Sequence, residues 1–525
     1  MSVAPTLEGI HEVVLARRYD AALEALRQRL RDDVHTLTDP QLWGRLVNAH
    51  EWFETVEEPE QYFNYVTALI TSVADRVDEL MDTDAGPALA TAFITGVQFR
   101  LTAHSSGDPR PIALGRARLF QARLTKFSVP LTHSFATAVS GSKPRLGVLF
   151  KHLVQDPETN SVLPFFAEAR AKGIEVLLFV ASDRVDQAFL KFIQPMCDNI
   201  YRLSDDLSQA VLQLRGADID ILLFGNDITA KPGFFAHLSF YRLARLGATC
   251  VSSLVTTASP AIDVYFGCPY YVESGFARHF FERFVAAPNP SFAFSYPSRQ
   301  PEAETLITRA NMGVSPDTPL FVSGANQSKL HKGMLGVWAE ILRRCPDARL
   351  LLYPFPPHFG GTRQDVTNRV LSQFIAMGID QGRILVAQSI PSRDAVIGML
   401  RHCDVGLDSF PYTGVTTVVD AIEAGLPTVS LKGGALRSSQ GAAVLHTADF
   451  DELVAHSIDD YVDLAVNLMQ DASRRINLRA RVAEAARRTP AFLRAKEFSD
   501  AVADIYHKLH GELAAGQIPQ RGIRL

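Results

Sequence analysis

The chain has 525 residues, 47% hydrophobic and 21% charged, enough to bury two or three cores of ordinary domain size. A formal net charge of -5 and a pI near 6.3 exclude the strong positive field that draws a protein onto nucleic acid or an anionic membrane. The longest apolar runs, such as "EVLLFVA", are strand-sized, short of the roughly 20 residues that span a bilayer, so no membrane span is expected.

The amino terminus "MSVAPTLEGIHEVVLARRYD" has no basic stretch followed by an apolar one, and a cytoplasmic location is expected. From about residue 7 to 125, apolar positions recur at three- and four-residue spacing, as in "QYFNYVTALITSVADRVDEL". That period predicts an all-α domain over residues 1–140.

After "AVSGSKPR" the period changes. The short apolar runs "LGVLF", "IEVLLFV" and "DIDILLFG" alternate with helical patterns, the mark of βαβ units and a parallel sheet over residues 141–295. The Pro-rich segment "VAAPNPSFAFSYPSRQPEAETL" reads as a linker between two bodies. Beyond it, "PLFVSGA", "RLLLYPF", "RILVA", "DVGLDSF" and "PTVSL" alternate with helical stretches and predict a second parallel sheet within residues 296–490. A last helical pattern, "AKEFSDAVADIYHKLHGEL", crosses back onto the first α/β domain within residues 491–525, and the tail "AAGQIPQRGIRL" reads as mobile.

Cys197, Cys250, Cys268, Cys345 and Cys403 are scattered without a CxxC pair, so buried or spare thiols are expected, with neither disulfides nor a metal site. Asp218 and Asp220 form a DxD that could hold a metal; ahead of "ILLF" they read instead as solvated carboxylates at a strand edge.

Ligands of open parallel sheets sit beyond the carboxyl ends of the strands. After "DVGLDSF", Gly414 lets the backbone approach a ligand, and Thr416 and Thr417 offer hydroxyls and amides from a helix's first turn, a place that favours anions. Asp420, one turn on, suits vicinal ribose hydroxyls. The same residues also suit an ordinary capped helix. Asn326 and Lys329 lie at a second strand-to-helix junction, where a lysine can neutralise a leaving diphosphate; Lys332, nearby, reads as solvated.

The segments "NQSKL", "WAEIL" nine residues after Lys329, "RLLLYPFP", "DVGLDSFPYTGVTTVVDAIEAGLPTVSL" and "TPAFLRAKEFSDAVADIY" resemble, in order and spacing, the O-GlcNAc transferases and the bacterial cytoplasmic N-glycosyltransferases that modify adhesins. The resemblance runs from about residue 143 to 510. It implies the GT-B architecture, α/β with two Rossmann-like domains facing across a cleft and here preceded by the all-α domain. It implies no cofactor and no metal, and a UDP-hexose donor. By resemblance, Lys329 takes the phosphates with Asn326 beside it, Thr416 and Thr417 assist, Asp420 holds the ribose, and the uracil is read in "VAQSIPSRD" through backbone near Ile390.

The implied activity is an inverting, metal-independent transfer of glucose or GlcNAc to protein side chains. Asparagine is placed first, with an adhesin or another surface protein as acceptor. Ser/Thr transfer and a nucleotide-sugar-binding scaffold without turnover are the alternatives. On the acceptor side the sequence departs from those families, with Ser253, Ala258, Asp156 and Val415 at positions where one or the other has histidine. Asp156 is the expected general base, and His152, at the end of a strand, is a second candidate.

Overall fold

The protein is described by a computed structural model over residues 6–50, 52–139, 141–296, 303–304, 306–353, 363–387 and 390–517. The tail beyond residue 517, read above as mobile, lies outside the described residues.

The first body is all-helical, from Leu7–Leu15 through Arg110–Leu124. Its central helix, Glu58–Glu79, turns Tyr62, Val66, Leu69, Ile70, Val73 and Val77 to one buried face, the i, i+3, i+4 stripe that lets a helix bury against its neighbours. Pro59 stands in its first turn, where a missing N–H costs nothing.

The second body holds a seven-stranded sheet: β1 (Arg145–Phe150), β2 (Glu175–Val180), β3 (Asn199–Arg202), β4 (Ile221–Phe224), β5 (Leu246–Thr249), β6 (Val264–Gly267) and β7 (Arg283–Ala286). The third holds a six-stranded sheet: β8 (Leu320–Ser323), β9 (Arg349–Leu352), β10 (Ile384–Val386), β11 (Val405–Leu407), β12 (Thr428–Leu431) and β13 (Val454–Ala455). All pairs are parallel. The orders are β3-β2-β1-β4-β5-β6-β7 and β10-β9-β8-β11-β12-β13. In each sheet the order reverses beside its first strand, opening a crevice at the carboxyl ends of β1 and β4 and of β8 and β11.

The helix Ala495–Ala514 packs Phe498, Val502, Tyr506 and Leu509 into the core of the first sheet, and Glu512 pairs with Arg283. Among the described residues no helix is long and apolar enough to cross a membrane. The five cysteines are free and buried.

One reading is corrected, that of Asp220, and the others gain detail. The Pro-rich stretch lies between the two α/β bodies, as expected of a linker, and its described part is packed: Phe292 and Phe294 are buried, the Phe294 amide donates to Phe492 O (2.9 Å) and that of Ser295 to Asn160 O (3.1 Å). Asp218 is exposed at the strand edge, as expected, with Arg245 beside it (2.8 Å); Asp220 is not solvated, since it is buried against β1 and also pairs with Arg245 (3.2 Å). Lys332 is exposed, as expected; its Nζ also meets Glu54 Oε2 at 3.0 Å and its amide donates to Phe53 O, tying the helical body to the second α/β body.

Candidate active site

At the second crevice, β8 runs out through Gly324 into the turn Gln327–Lys329, which the Asn326 side chain caps by accepting from the Ser328 amide (3.1 Å). From β11 the chain passes to Asp408, whose carboxylate accepts from the Ser409 and Gly414 amides (both 2.8 Å) and the Ser430 hydroxyl (2.6 Å). Burial pushes Asp408 up to about 6, with the Ser430 bond and the Lys329 charge pulling the other way. A side chain at position 414 would run into Thr417 Oγ1 and the Asp408 carboxylate. That crowding is what the glycine relieves.

Lys329 Nζ donates to Thr413 O (2.7 Å) and sits 3.9 Å from the centroid of the Tyr412 ring, a cation–π contact that holds the ammonium without neutralising it. Burial lowers its pKa to about 8, against the pull of Asp408. The helix Thr416–Glu423 starts beside it with Val415 at the cap position and no side-chain cap. Among the described residues the Thr416 and Thr417 amides have no partner, and a helix start with open amides next to an ammonium favours an anion.

The other expected donor residues lie further back. Asp420, 3% exposed, accepts from Arg393 Nε at 2.8 Å, and the guanidinium lies 3.8 Å over the Tyr296 ring; neither Asp420 nor Arg393 lines the cavity described next. Ile390 packs against the core behind β8 and β9, while Gln388 and Ser389 of the expected uracil loop lie outside the described residues.

A cavity of about 690 Å³ joins all three bodies. Asn326, Lys329, Gly414, Thr416 and Thr417 line one side, together with Tyr412, Thr413 and Gln440. Thr413 is a hub, with its carbonyl on Lys329 and its hydroxyl accepting from the Gln440 amide (3.0 Å). The helical body closes another side with apolar residues such as Phe63, Phe99 and Ile112, and with His104 and Arg116. His104 Nδ1, Arg116 Nε and Arg437 Nε are buried without a partner among the described residues. Burial drives His104 well below its ordinary value and both arginines down to about 10.

The first crevice supplies the remaining wall. Asp156 lines it, but its carboxylate caps the following helix through the Thr159 amide (2.8 Å) and meets His152 Nε2 (3.2 Å). Burial raises its pKa, and those bonds outweigh burial and hold it below the usual range. His152 does not reach the cavity lining, and Ser253 and Ala258 are buried away from it.

Sequence reasoning missed Glu158, which also lines the cavity. Its Oε2 accepts from Asn226 Nδ2 (3.0 Å) and its Oε1 from the Asp227 amide (2.7 Å). Burial pushes it up to about 7, eased by the Asn226 bond and reinforced by the charge of Asp227. In "DPETN" it reads as an ordinary first-turn carboxylate; only its partners from the loop after β4 set it apart.

Residues 292–502 match the model of Glycosyl transferase family 41. The chain is similar to the probable UDP-N-acetylglucosamine–peptide N-acetylglucosaminyltransferase SPINDLY of Solanum lycopersicum, 27% identical over 321 residues, 61% of this chain and 33% of that protein. It is also similar to the UDP-N-acetylglucosamine–peptide N-acetylglucosaminyltransferase of Caenorhabditis elegans, 28% identical over 182 residues, 35% of this chain and 15% of that protein. The chain thus spans about a third of the length of the tomato protein, or less in the nematode one. Its fold is similar to that of a mutant O-GlcNAc transferase of Thermobaculum terrenum, with a TM-score of 0.67 and 19% identity, covering 97% of this chain and 98% of that one. The architecture is GT-B with a helical domain in front.

Proposed function

We propose that this chain, whose later α/β body carries the match to a glycosyltransferase family, transfers a sugar from a UDP-sugar to protein side chains with inversion and without a metal. The observation that carries the reading is the second crevice, where an ammonium with no counter-ion in contact among the described residues stands beside open helix amides. Lys329 and the amides of Thr416 and Thr417 meet the diphosphate and stabilise the charge that develops as UDP leaves. Asn326 positions that loop, Gly414 allows close approach, and Asp420 reaches the ribose by sharing its carboxylate between Arg393 and the hydroxyls. Backbone near Ile390 reads the base.

The curated relatives are named for transfer from UDP-N-acetylglucosamine to peptide, which supports GlcNAc as the sugar, and the fold likeness to an O-GlcNAc transferase goes with a Ser/Thr hydroxyl ahead of asparagine as the acceptor in this proposal. An adhesin acceptor finds no support among them. A cytoplasmic setting goes with this reading.

The test is UDP release from UDP-GlcNAc and from UDP-glucose, with and without whole-cell protein extract. Release that rises with extract, together with an added N-acetylhexosamine or hexose mass on a protein, supports transfer. UDP binding without turnover of either sugar supports a nucleotide-sugar-binding scaffold instead.

A further inference from the structure

The two crevices face one cavity, and each brings one ionisable group suited to half of a displacement reaction. Lys329, from the β8 loop, stands where negative charge would leave. On the opposite wall, the loops after β1 and β4 converge on Glu158. The two are linked by Tyr412, whose ring carries the Lys329 ammonium and whose phenol burial raises, reinforced by the charges of Asp227 and Glu158. The carboxylate therefore lies within electrostatic reach of the donor loop.

Resting on the proposed transferase reading, we infer that Glu158 is the group that takes the proton from the attacking acceptor hydroxyl, and that Asp156 serves to cap its helix. Each carboxylate oxygen of Glu158 accepts one fixed N–H, leaving lone pairs for a hydroxyl. The neighbouring carboxylates are already engaged. Asp156 is divided between Thr159 and His152, and Asp227 accepts from Thr229 through both its amide (2.8 Å) and hydroxyl (2.6 Å) and from the Ala230 amide (3.0 Å).

In the step, the acceptor oxygen forms a bond to the anomeric carbon and the bond from that carbon to the β-phosphate oxygen breaks. The electron pair of the broken bond leaves with UDP, facing Lys329. The hydroxyl proton passes to Glu158 and from there to solvent. Transfer of this kind contributes typically a factor of 10² to 10⁴, and works best with a base poised near the working pH.

The groups facing Glu158 separate cleanly in titration. Asp156, on its own helix, is held low. Cys250, after β5, is pushed by burial up to about 11, and Tyr412 is raised above its ordinary value. Asp227, whose amide Glu158 accepts from, is in electrostatic contact with Arg116 and Lys231. Glu158 itself lies at about 7. A base must be ionised, so activity through Glu158 is lost as pH falls through about 7 and is full above it.

The experiment measures UDP release from UDP-GlcNAc and UDP-glucose across pH 5.5 to 9, to water and to a pool of Ser- and Thr-containing peptides, for wild type, Glu158→Gln and Asn226→Ala, with UDP affinity by calorimetry for each. The expected result is a fall in kcat of at least about a hundredfold for Glu158→Gln, UDP affinity within about threefold of wild type, and no acid limb in its residual rate. Asn226→Ala, which removes the bond that holds Glu158 down, moves the acid limb to higher pH. Wild type that turns over while Glu158→Gln keeps its kcat within tenfold, or while Asn226→Ala leaves the limb in place, overturns this assignment and leaves the transferase reading standing. Wild type inert toward both sugars overturns both.

Discussion

Replacing Lys329 by Ala removes the one side-chain ammonium that, among the described residues, lines the cavity beside the open helix start of Thr416. With a pKa of about 8, some nine-tenths of it is charged at pH 7. At about 4 Å and an effective dielectric of about 20, one unit of charge on the leaving phosphate gains about 4 kcal/mol from such a partner. Part of that is present before the bond breaks, so about 2.7–4 kcal/mol is expected to be lost from the transition state, or a factor of about 10² to 10³ in kcat, the cost of deleting a preorganised charge-stabilising donor. The readout is UDP release at saturating UDP-sugar, with thermal melting to show that the fold persists. Since among the described residues Nζ bonds a carbonyl and a ring face and no carboxylate, little stability goes with it. A folded Lys329→Ala protein that keeps more than a tenth of wild-type kcat would show that the ammonium does not face the leaving group.

Three further outcomes are expected. Asp420→Asn keeps an acceptor for Arg393 but weakens ribose binding, raising KM for the UDP-sugar about tenfold with kcat little changed; an unaltered KM refutes the ribose role. Asp408→Asn removes the carboxylate charge that holds Lys329 up, so the alkaline limb of kcat/KM, set by loss of the Lys329 proton, moves from about 8 to lower pH by about a unit; a limb that stays or rises assigns it to another group. Glu58→Ala strips a carboxylate that is 2% exposed from Arg17 Nε (2.7 Å), the Tyr19 hydroxyl (2.9 Å) and the Glu54 amide (2.6 Å), at a cost of about 3–5 kcal/mol. Circular dichroism melting is expected to show the loss, and an unshifted Tm contradicts it.

The order of bodies and the central strands were legible because β1, β2, β4, β8 and β9 are apolar runs buried on both faces. The edge of the first sheet was not. β3 is largely exposed and polar, while β5 (Leu-Gly-Ala-Thr), β6 (Val-Tyr-Phe-Gly) and β7 (Arg-Phe-Val-Ala) lack the unbroken aliphatic run of β4 or β9. On the donor side, Lys329, Gly414, Thr416 and Thr417 were readable as a set because strand-end glycines and first-turn threonines are local signals, and they come together on one wall. Tyr412 and Thr413 were passed over, since their part comes from touching Lys329, 84 positions away in the chain for Thr413. Glu158 was passed over for the same reason: its environment is made by Asn226 and Asp227, and spacing within "DPETN" carries no trace of them.

The most direct measurement is isothermal calorimetry of UDP with the folded chain at pH 7 in chelator, alongside Lys329→Ala. One site per chain is expected, with affinity at least tenfold weaker in the variant. Absence of heat with folded wild type, or equal affinity in the two proteins, contradicts a nucleotide resting at the carboxyl ends of β8 and β11.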